Sequence, residues 1–286
     1  MTEPPTEPRV QRQRLGAELR RLRMLAGLSG REVGRRTGIS HPNISRIENG
    51  QIAPSLPQVR AWASAVDLDA DGLARLTSMT EAALNEVTTY RARLRAGLPV
   101  FQADVQGLES TTRVMRTFQT ATVPGLLQTA DYAWHVLSLA SQGPRTEIAE
   151  AVAVRLRRQS VIADPARKFE WIMTESAVRW RPDGMQPEVH SAQIGRIIAV
   201  ASLENVTIGV IPHDATLKTI IWCGFDLFDE RDLGYPPFVV VETPHAAVYA
   251  SDPADIEFYR DHLSAIREAA VFGDEAIAAM QTIAGS

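Results

Sequence analysis

One cysteine, Cys223, stands in 286 residues. A lone thiol excludes an internal disulfide framework and any multi-cysteine zinc site, and it suits a reducing cytoplasm. Lysine is almost missing as well: Lys168 and Lys218 are the only two, against 28 arginines. No apolar run approaches the roughly 18 residues that a membrane span requires. The start, MTEPPTEPRVQRQR, is polar and proline-rich and has no apolar signal-peptide core. The six histidines, His41, His135, His190, His213, His245 and His262, include no pair four residues apart, and no Gly-x-Ser-x-Gly elbow occurs. The expectation is a cytoplasmic protein with no membrane segment, no metal, no cofactor and no catalytic residues, and so not an enzyme.

What is present is enough for a folded protein. The chain is 45% hydrophobic and 22% charged, and its length suits two domains. The net charge of −4 argues, taken whole, against a nucleic-acid partner. Its distribution argues the other way. Residues 9–60 hold eleven arginines and three acids (Glu18, Glu32, Glu48), a balance of +8; the remainder holds 19 basic and 31 acidic residues, or −12. A basic head on an acidic body points to phosphate binding by the head. A solvated arginine-rich surface is the alternative.

Residues 1–10, with three prolines and no periodicity, read as a flexible arm. From Leu15 the spacing turns helical: Leu15, Leu19, Leu22 and Leu25 fall on one face, and Gly27 ends the helix. Ser29 and Glu32 have the spacing of a capping box for a second, short helix, which Gly38 stops. Ser40 and Pro42 suit the first turn of a third helix ending at Asn49-Gly50, and a fourth turns Val59, Trp62, Ala63 and Val66 inward. Asp69 is placed to cap a long helix over residues 70–96. Helices are expected over 105–118, 128–140, 145–162, 187–202, 253–271 and 274–284. Short β-rich runs are expected at Phe169–Met173, Val206–Ile211, Ile220–Phe228, Phe238–Val241 and Ala247–Ala250. The predicted organisation is a flexible arm (1–13), a mainly α five-helix DNA-binding domain (14–80), a helical linker (81–104) and an α+β regulatory or partner-binding domain (105–284).

Two short helices joined by Thr37-Gly38-Ile39-Ser40 have the layout of a DNA-reading helix-turn-helix. Gly34 would normally weaken a helix by about 1 kcal/mol, but a small residue there lets the third helix cross closely over the second. Ile39, Ile44 and Ile47 pin the third helix from inside, which leaves His41, Asn43, Ser45 and Arg46 outside. Arg46 matches guanine O6 and N7, and Asn43 suits adenine. Asn49, just past the helix, and the N–H groups near Ser29, Gly30 and Arg31 can hold phosphates, with Ser40 at the start of the third helix.

The run Leu28-Ser29-x-x-Glu32-Val33-Gly34-x-x-Thr37-Gly38-Ile39-Ser40-x-x-x-Ile44-Ser45-Arg46-Ile47-Glu48-Asn49-Gly50 resembles the lambda-repressor-like, or Xre-type, helix-turn-helix family over about residues 14–70. The resemblance implies double-stranded DNA as partner. Family members often carry Gln where this chain has Gly30 and His41. A helix-turn-helix can also serve as a protein-binding module. A second set of stretches lies further on: Val123-Pro124-Gly125-Leu126-Leu127-Gln128-Thr129-Ala130-Asp131-Tyr132-Ala133, Arg155-x-x-Arg158-Gln159, Thr174-Glu175-Ser176-Ala177, Val206-Thr207-Ile208-x-Val210-Ile211-Pro212 and Val248-Tyr249. Together these resemble the C-terminal domain of unknown function found in actinobacterial antitoxin-like regulators. That resemblance implies a transcription factor often paired with a small partner protein.

The acidic body offers weaker candidates. Arg155, Arg158 and Gln159 share a helix face and can clamp an acidic partner or ligand, or form a salt-bridged surface. Glu175 and Glu242 each end an expected strand, as ligand carboxylates or solvated acids. Trp171, Trp180, Trp222 and Phe225 can line an effector pocket or fill the core. His213-Asp214, Cys223, His245 and His262 can in principle converge on a metal or form a nucleophile–base pair, although scattered loop histidines are more often plain surface groups. One head reads only a few base pairs, so specificity calls for a homodimer on a two-fold site, with Trp62, the helix after Asp69 or the C-terminal body as interface. Three functions are weighed: a sequence-specific transcriptional regulator that senses a ligand or small partner protein, an antitoxin-like protein that sequesters such a partner and regulates itself through DNA, and an enzyme fused to a DNA-binding head, for which no catalytic constellation stands at a recognisable spacing.

Overall fold

The computed structural model describes residues 7–89, 97–140, 144–232, 235–244 and 246–285. Local rules account for most of the first five helices. Helix α1 (Glu7–Leu25) begins ahead of Leu15, where its apolar spacing first shows. The residues between are mostly polar and include one proline, Pro8, which a first turn tolerates. Residues 1–6 of the expected arm lie outside the described residues. Helix α2 (Gly30–Thr37) ends at Gly38 in the left-handed conformation, φ 73°. Ser29 caps it by accepting the Glu32 N–H at 3.2 Å. The second half of the expected capping box is missing, because the Glu32 carboxylate turns to Arg35 and Arg36 instead. Helix α3 (His41–Glu48) follows, with Ser40 at the capping position but making no cap bond through its hydroxyl. A complete capping box does occur at α4 (Leu56–Ala65), where Ser55 and Gln58 bond reciprocally. Asp69 caps α5 (Ala70–Leu84) through the Gly72 N–H at 2.8 Å.

Leu15, Leu19, Val33, Ile44, Ile47, Val59, Trp62 and Leu76 fill the centre of this helical head. Burying each of these large apolar groups contributes about 1.5–3 kcal/mol. Trp62 is fully enclosed, so it supplies core and not an interface. The helix expected over 70–96 stops at Leu84. There the β-branched run Val87-Thr88-Thr89 continues as strand β1 (Asn85–Thr89), and residues 90–96 lie outside the described residues.

Helix α6 (Leu98–Ser110) leads into strand β2 (Thr112–Gln119), where a helix over 105–118 was expected. Helices α7 (Ala130–Ala140) and α8 (Arg145–Arg158) come next, and a short 3-10 turn, Gln159–Ala163, leads to β3 (Lys168–Thr174). Helices α9 (Glu175–Arg179) and α10 (Pro187–Ala201) separate β3 from β4 (Val206–Ile211). The expected strand at 220–228 is β5, Phe225–Arg231, so Ile220–Gly224 belong to the loop before it. Strands β6 (Phe238–Glu242) and β7 (Ala246–Ala250), helix α11 (Pro253–Arg267), the two-residue β8 (Val271–Phe272) and α12 (Gly273–Ala284) complete the chain.

Two compact units result: Met1–Ala92 with Thr243–Ile256, and Arg93–Glu242 with Glu257–Ser286. The first holds the five helices and an antiparallel ribbon in which β1 pairs β7. In the second, the strands run in the order β6-β5-β2-β3-β4-β8. Strands β2, β3 and β4 are parallel, and β5, β6 and β8 are antiparallel to their neighbours. The chain is thus a five-helix head followed by an α+β body with a mixed sheet. Register puts Thr117 opposite Trp171 on one face and Phe118 opposite both Ile172 and Phe225 on the other. Gly209 has no Cβ because the Phe272 ring lies where one would go, at 2.6 Å.

Candidate functional site

The α2–α3 pair is held in place from three directions. A Cβ on Gly34 would stand 2.7 Å from the Ile39 carbonyl, and one on Gly16 2.3 Å from the Ile47 carbonyl. Glycine at those positions therefore lets α2 and α1 close on the two ends of α3. Arg23 clamps Glu48 with two bonds, at 2.5 and 2.8 Å, and donates a third to the Leu28 carbonyl at 2.8 Å. Arg36 ties α2 to the Ala65 carbonyl at the end of α4. With Ile44 and Ile47 buried, His41 and Ser45 are exposed, Asn43 and Arg46 are half-buried, and Asn49 stands exposed one turn on. Asn49 reaches Ser45 Oγ at 3.4 Å. A Cβ on Gly30 would lie 3.6 Å from His41 Nε2, so the starts of α2 and α3 adjoin. Ser29, Arg31 and Ser40 are exposed near this junction. The glycine at residue 16 was missed from sequence; its only signal is a small residue in mid-helix.

In the body, Arg155 and Arg158 do not form an open face. Both are buried, at 9% and 6% exposure. Arg158 binds both oxygens of Glu109, at 2.8 and 2.5 Å, and Arg155 donates to Gln102 and Gln128. Burial lifts the Glu109 carboxyl above its ordinary value while Arg158 pulls against it. Gln159 donates to the Gln128 carbonyl at 2.6 Å, and Gln193 grips Leu127 and Thr129 from α10. This network fixes the Pro124–Thr129 run.

The aromatic candidates do not share a pocket. Trp171 is stacked on Phe169 in the core and Phe225 is buried on the opposite sheet face, while Trp222 is 74% exposed. A cavity of 710 Å³ opens instead at the start of β3 and β4, lined by Arg116, Lys168, Glu170, Asn205 and Thr207 among others. None of the body residues that the sequence singles out as candidates lines it. Lys168, one of only two lysines, was the available signal.

The scattered histidines also separate. His190 bonds the Val178 carbonyl, His262 pairs with Thr219, and burial lowers the pKa of both. His245 lies outside the described residues. Among the described residues no three His, Cys, Asp or Glu side chains converge as a metal site. Burial pushes the half-buried Cys223 thiol up. His213 lies beside a serine and a glutamate. Its Nε2 lies 3.0 Å from Ser176 Oγ, and its Nδ1 lies 3.6 Å from Glu175 Oε1. Ser176, 37 residues away in the chain, was not foreseen.

A family model described as a domain of unknown function (DUF5753) matches residues 102–282. The chain belongs to the DUF5753 family. A helix-turn-helix domain model matches residues 14–76. No curated protein matches the chain. In this DUF5753 protein the matched head points to a DNA-binding regulator, and no helix among the described residues is long and apolar enough to cross a membrane.

Proposed function

We propose that this chain is a sequence-specific transcriptional regulator. Helix α3 enters the major groove, with Arg46 and Asn43 reading base edges alongside His41 and Ser45. Ser29, Gly30, Arg31, Ser40 and Asn49 hold flanking phosphates. The observation that carries this reading is the outward face of α3, fixed by Gly16, Gly34 and the Arg23–Glu48 clamp within a segment of charge +8. The protein acts as a homodimer on a two-fold site in the cytoplasm, since one head spans too few base pairs for useful specificity. The test is a footprint on a palindromic operator. Arg46→Ala is expected to weaken the specific complex by about fivefold to 150-fold, corresponding to about 1–3 kcal/mol, and to relax base choice at one position. Unchanged binding across all sequences would refute the assignment.

The body receives the signal. The 710 Å³ cavity is of ligand size and carries Lys168 and Arg116. A second reading, an antitoxin-like protein of the Xre type that sequesters a small partner, draws on a different feature. Trp222, Ile220 and Phe258 are 74%, 63% and 59% exposed on a body whose charge is strongly negative. Copurification separates the two: a stoichiometric small protein favours sequestration, whereas a bound metabolite favours sensing.

A further inference from the structure

Strands β3 and β4 are parallel neighbours, with Thr174 opposite Ile211. The residues that follow them therefore leave from the same edge of the sheet, the carboxyl edge where open α/β sheets bind ligands. On the β3 side the chain turns at once into α9. Thr174 fixes that turn by accepting the Ala177 N–H at 3.1 Å and donating to the Thr120 carbonyl at 2.9 Å. Glu175 and Ser176 are thereby presented side by side to His213, which follows β4.

The contacts fall in a definite order. Ser176 Oγ lies 3.0 Å from His213 Nε2. Glu175 is held by both oxygens: Oε2 accepts the His213 backbone N–H at 2.9 Å, and Oε1 accepts Arg179 Nε at 2.7 Å. That leaves Oε1 facing His213 Nδ1 at 3.6 Å. The backbone N–H of His213, with Arg179, holds the Glu175 carboxyl below the usual carboxylate range. With the proton on Nδ1, the tautomer that an ionised carboxylate on that side favours, the Nε2 lone pair faces the serine. Ser176 is exposed and the His213 side chain is 56% exposed, so an incoming molecule reaches both.

We propose that Ser176, His213 and Glu175 form a nucleophilic site that takes the acyl group of a carboxylic ester. Nucleophile, base and orienting carboxylate are recognised by this geometry and not by chain order. Ser176 Oγ attacks the ester carbonyl carbon while His213 Nε2 takes the hydroxyl proton. The bond from acyl carbon to alcohol oxygen breaks, and Nε2 returns the proton to the departing alkoxide. Water then attacks the acyl-serine, gives one proton to Nε2 and releases the carboxylic acid as Oγ recovers a proton. Ser176 and His213 are the catalytic residues. Glu175 is a positioning residue.

The full-length chain is treated with a fluorophosphonate probe and, separately, with p-nitrophenyl acetate. The expected results are one adduct on the peptide containing Ser176, and nitrophenolate release that falls by about 10²-fold or more in Ser176→Ala and in His213→Gln. Thermal unfolding of these surface variants is the control for fold. Glu175→Gln is expected to slow release about tenfold, with part of the rate regained in Glu175→Asp. Absence of an adduct at Ser176, or equal release by the wild type and Ser176→Ala, overturns the site. Release unchanged in Glu175→Gln removes Glu175 from it.

Discussion

In the head, Arg20, Arg31 and Arg60 stand exposed, and Arg21, Arg23, Arg35, Arg36 and Arg75 bind acids on their own or a neighbouring helix. In the body, Arg155 and Arg158 lie inside, their charge divided among Gln102, Glu109 and Gln128. One residue type thus meets two environments. At the surface its charge is solvated and available to phosphate; in the interior it becomes a strut whose loss leaves an opposite charge uncompensated. The same contrast separates the acids. Glu32 in the head is held at about 2 by hydrogen bonds from Arg35 and Arg36, whereas burial pushes Asp226 in the body up to about 7.

The strongest challenge to this contrast is Arg158→Ala. It leaves Glu109 buried and unpaired and is expected to destabilise the body by about 3–5 kcal/mol in urea unfolding. Pairing Arg158→Met with Glu109→Gln removes both charges and should recover much of the loss. No recovery would mean that the arginine acts through packing alone.

A smaller effect, of opposite sign in the two units, is expected from pH. Asp226 ordinarily titrates at 3.8 and does so at about 7 in the fold. The folded chain therefore binds this proton more tightly, and the associated stability is full below pH 3.8 and fades as pH rises through 7. Asp226→Asn keeps the acceptor for Thr117 Oγ1. Relative to wild type it should be more stable at pH 8 than at pH 4. Glu32 runs the other way: its contribution is full above 4.5 and is lost as pH falls toward 2. Denaturation curves for the Glu32→Gln and Asp226→Asn variants across pH 2–9 would show whether the acid limb belongs to the head and the neutral limb to the body.

The smallest effect is the most diagnostic for DNA. Arg31→Ala should weaken binding to all sequences alike and lower the slope of log affinity against log salt by about 1. Arg46→Ala should change sequence preference more than salt slope. Identical behaviour of the two variants would erase the distinction between positioning and reading.

The head was legible in the sequence because its signals are local. Gly38 supplies a left-handed turn, Ser29 caps from three residues away, and Ile44 and Ile47 share one helix face. Where a local rule failed, a competing partner was at hand: Glu32 found Arg35 and Arg36 before it could reach back. Strand β2 was misread as helix because Arg113 and Arg116 interrupt its apolar run. Their carboxylates arrive from far along the chain, Asp232 for Arg113, and Glu170 and Asp229 for Arg116. The grouping of Ser176 with His213 was hidden for the same reason, since only the pairing of β3 with β4 brings them together. Arg155 and Arg158 were correctly placed on one helix, but whether that face is open depends on Gln102 and Glu109 of α6, which periodicity does not report.

Strand β1 ends the head's continuous stretch, yet its partner β7 is encoded about 160 residues later. The head is therefore not a linear cassette. A gene fragment cut after residue 92 would carry the whole helix-turn-helix together with an uncovered strand edge, which invites chain-to-chain pairing. Recombination that exchanges heads between relatives must carry two separate pieces of coding sequence or supply a substitute for β7. A reporter fusion built on residues 1–92 would face the same constraint, and adding a tethered copy of 243–256 is the simplest way to relieve it.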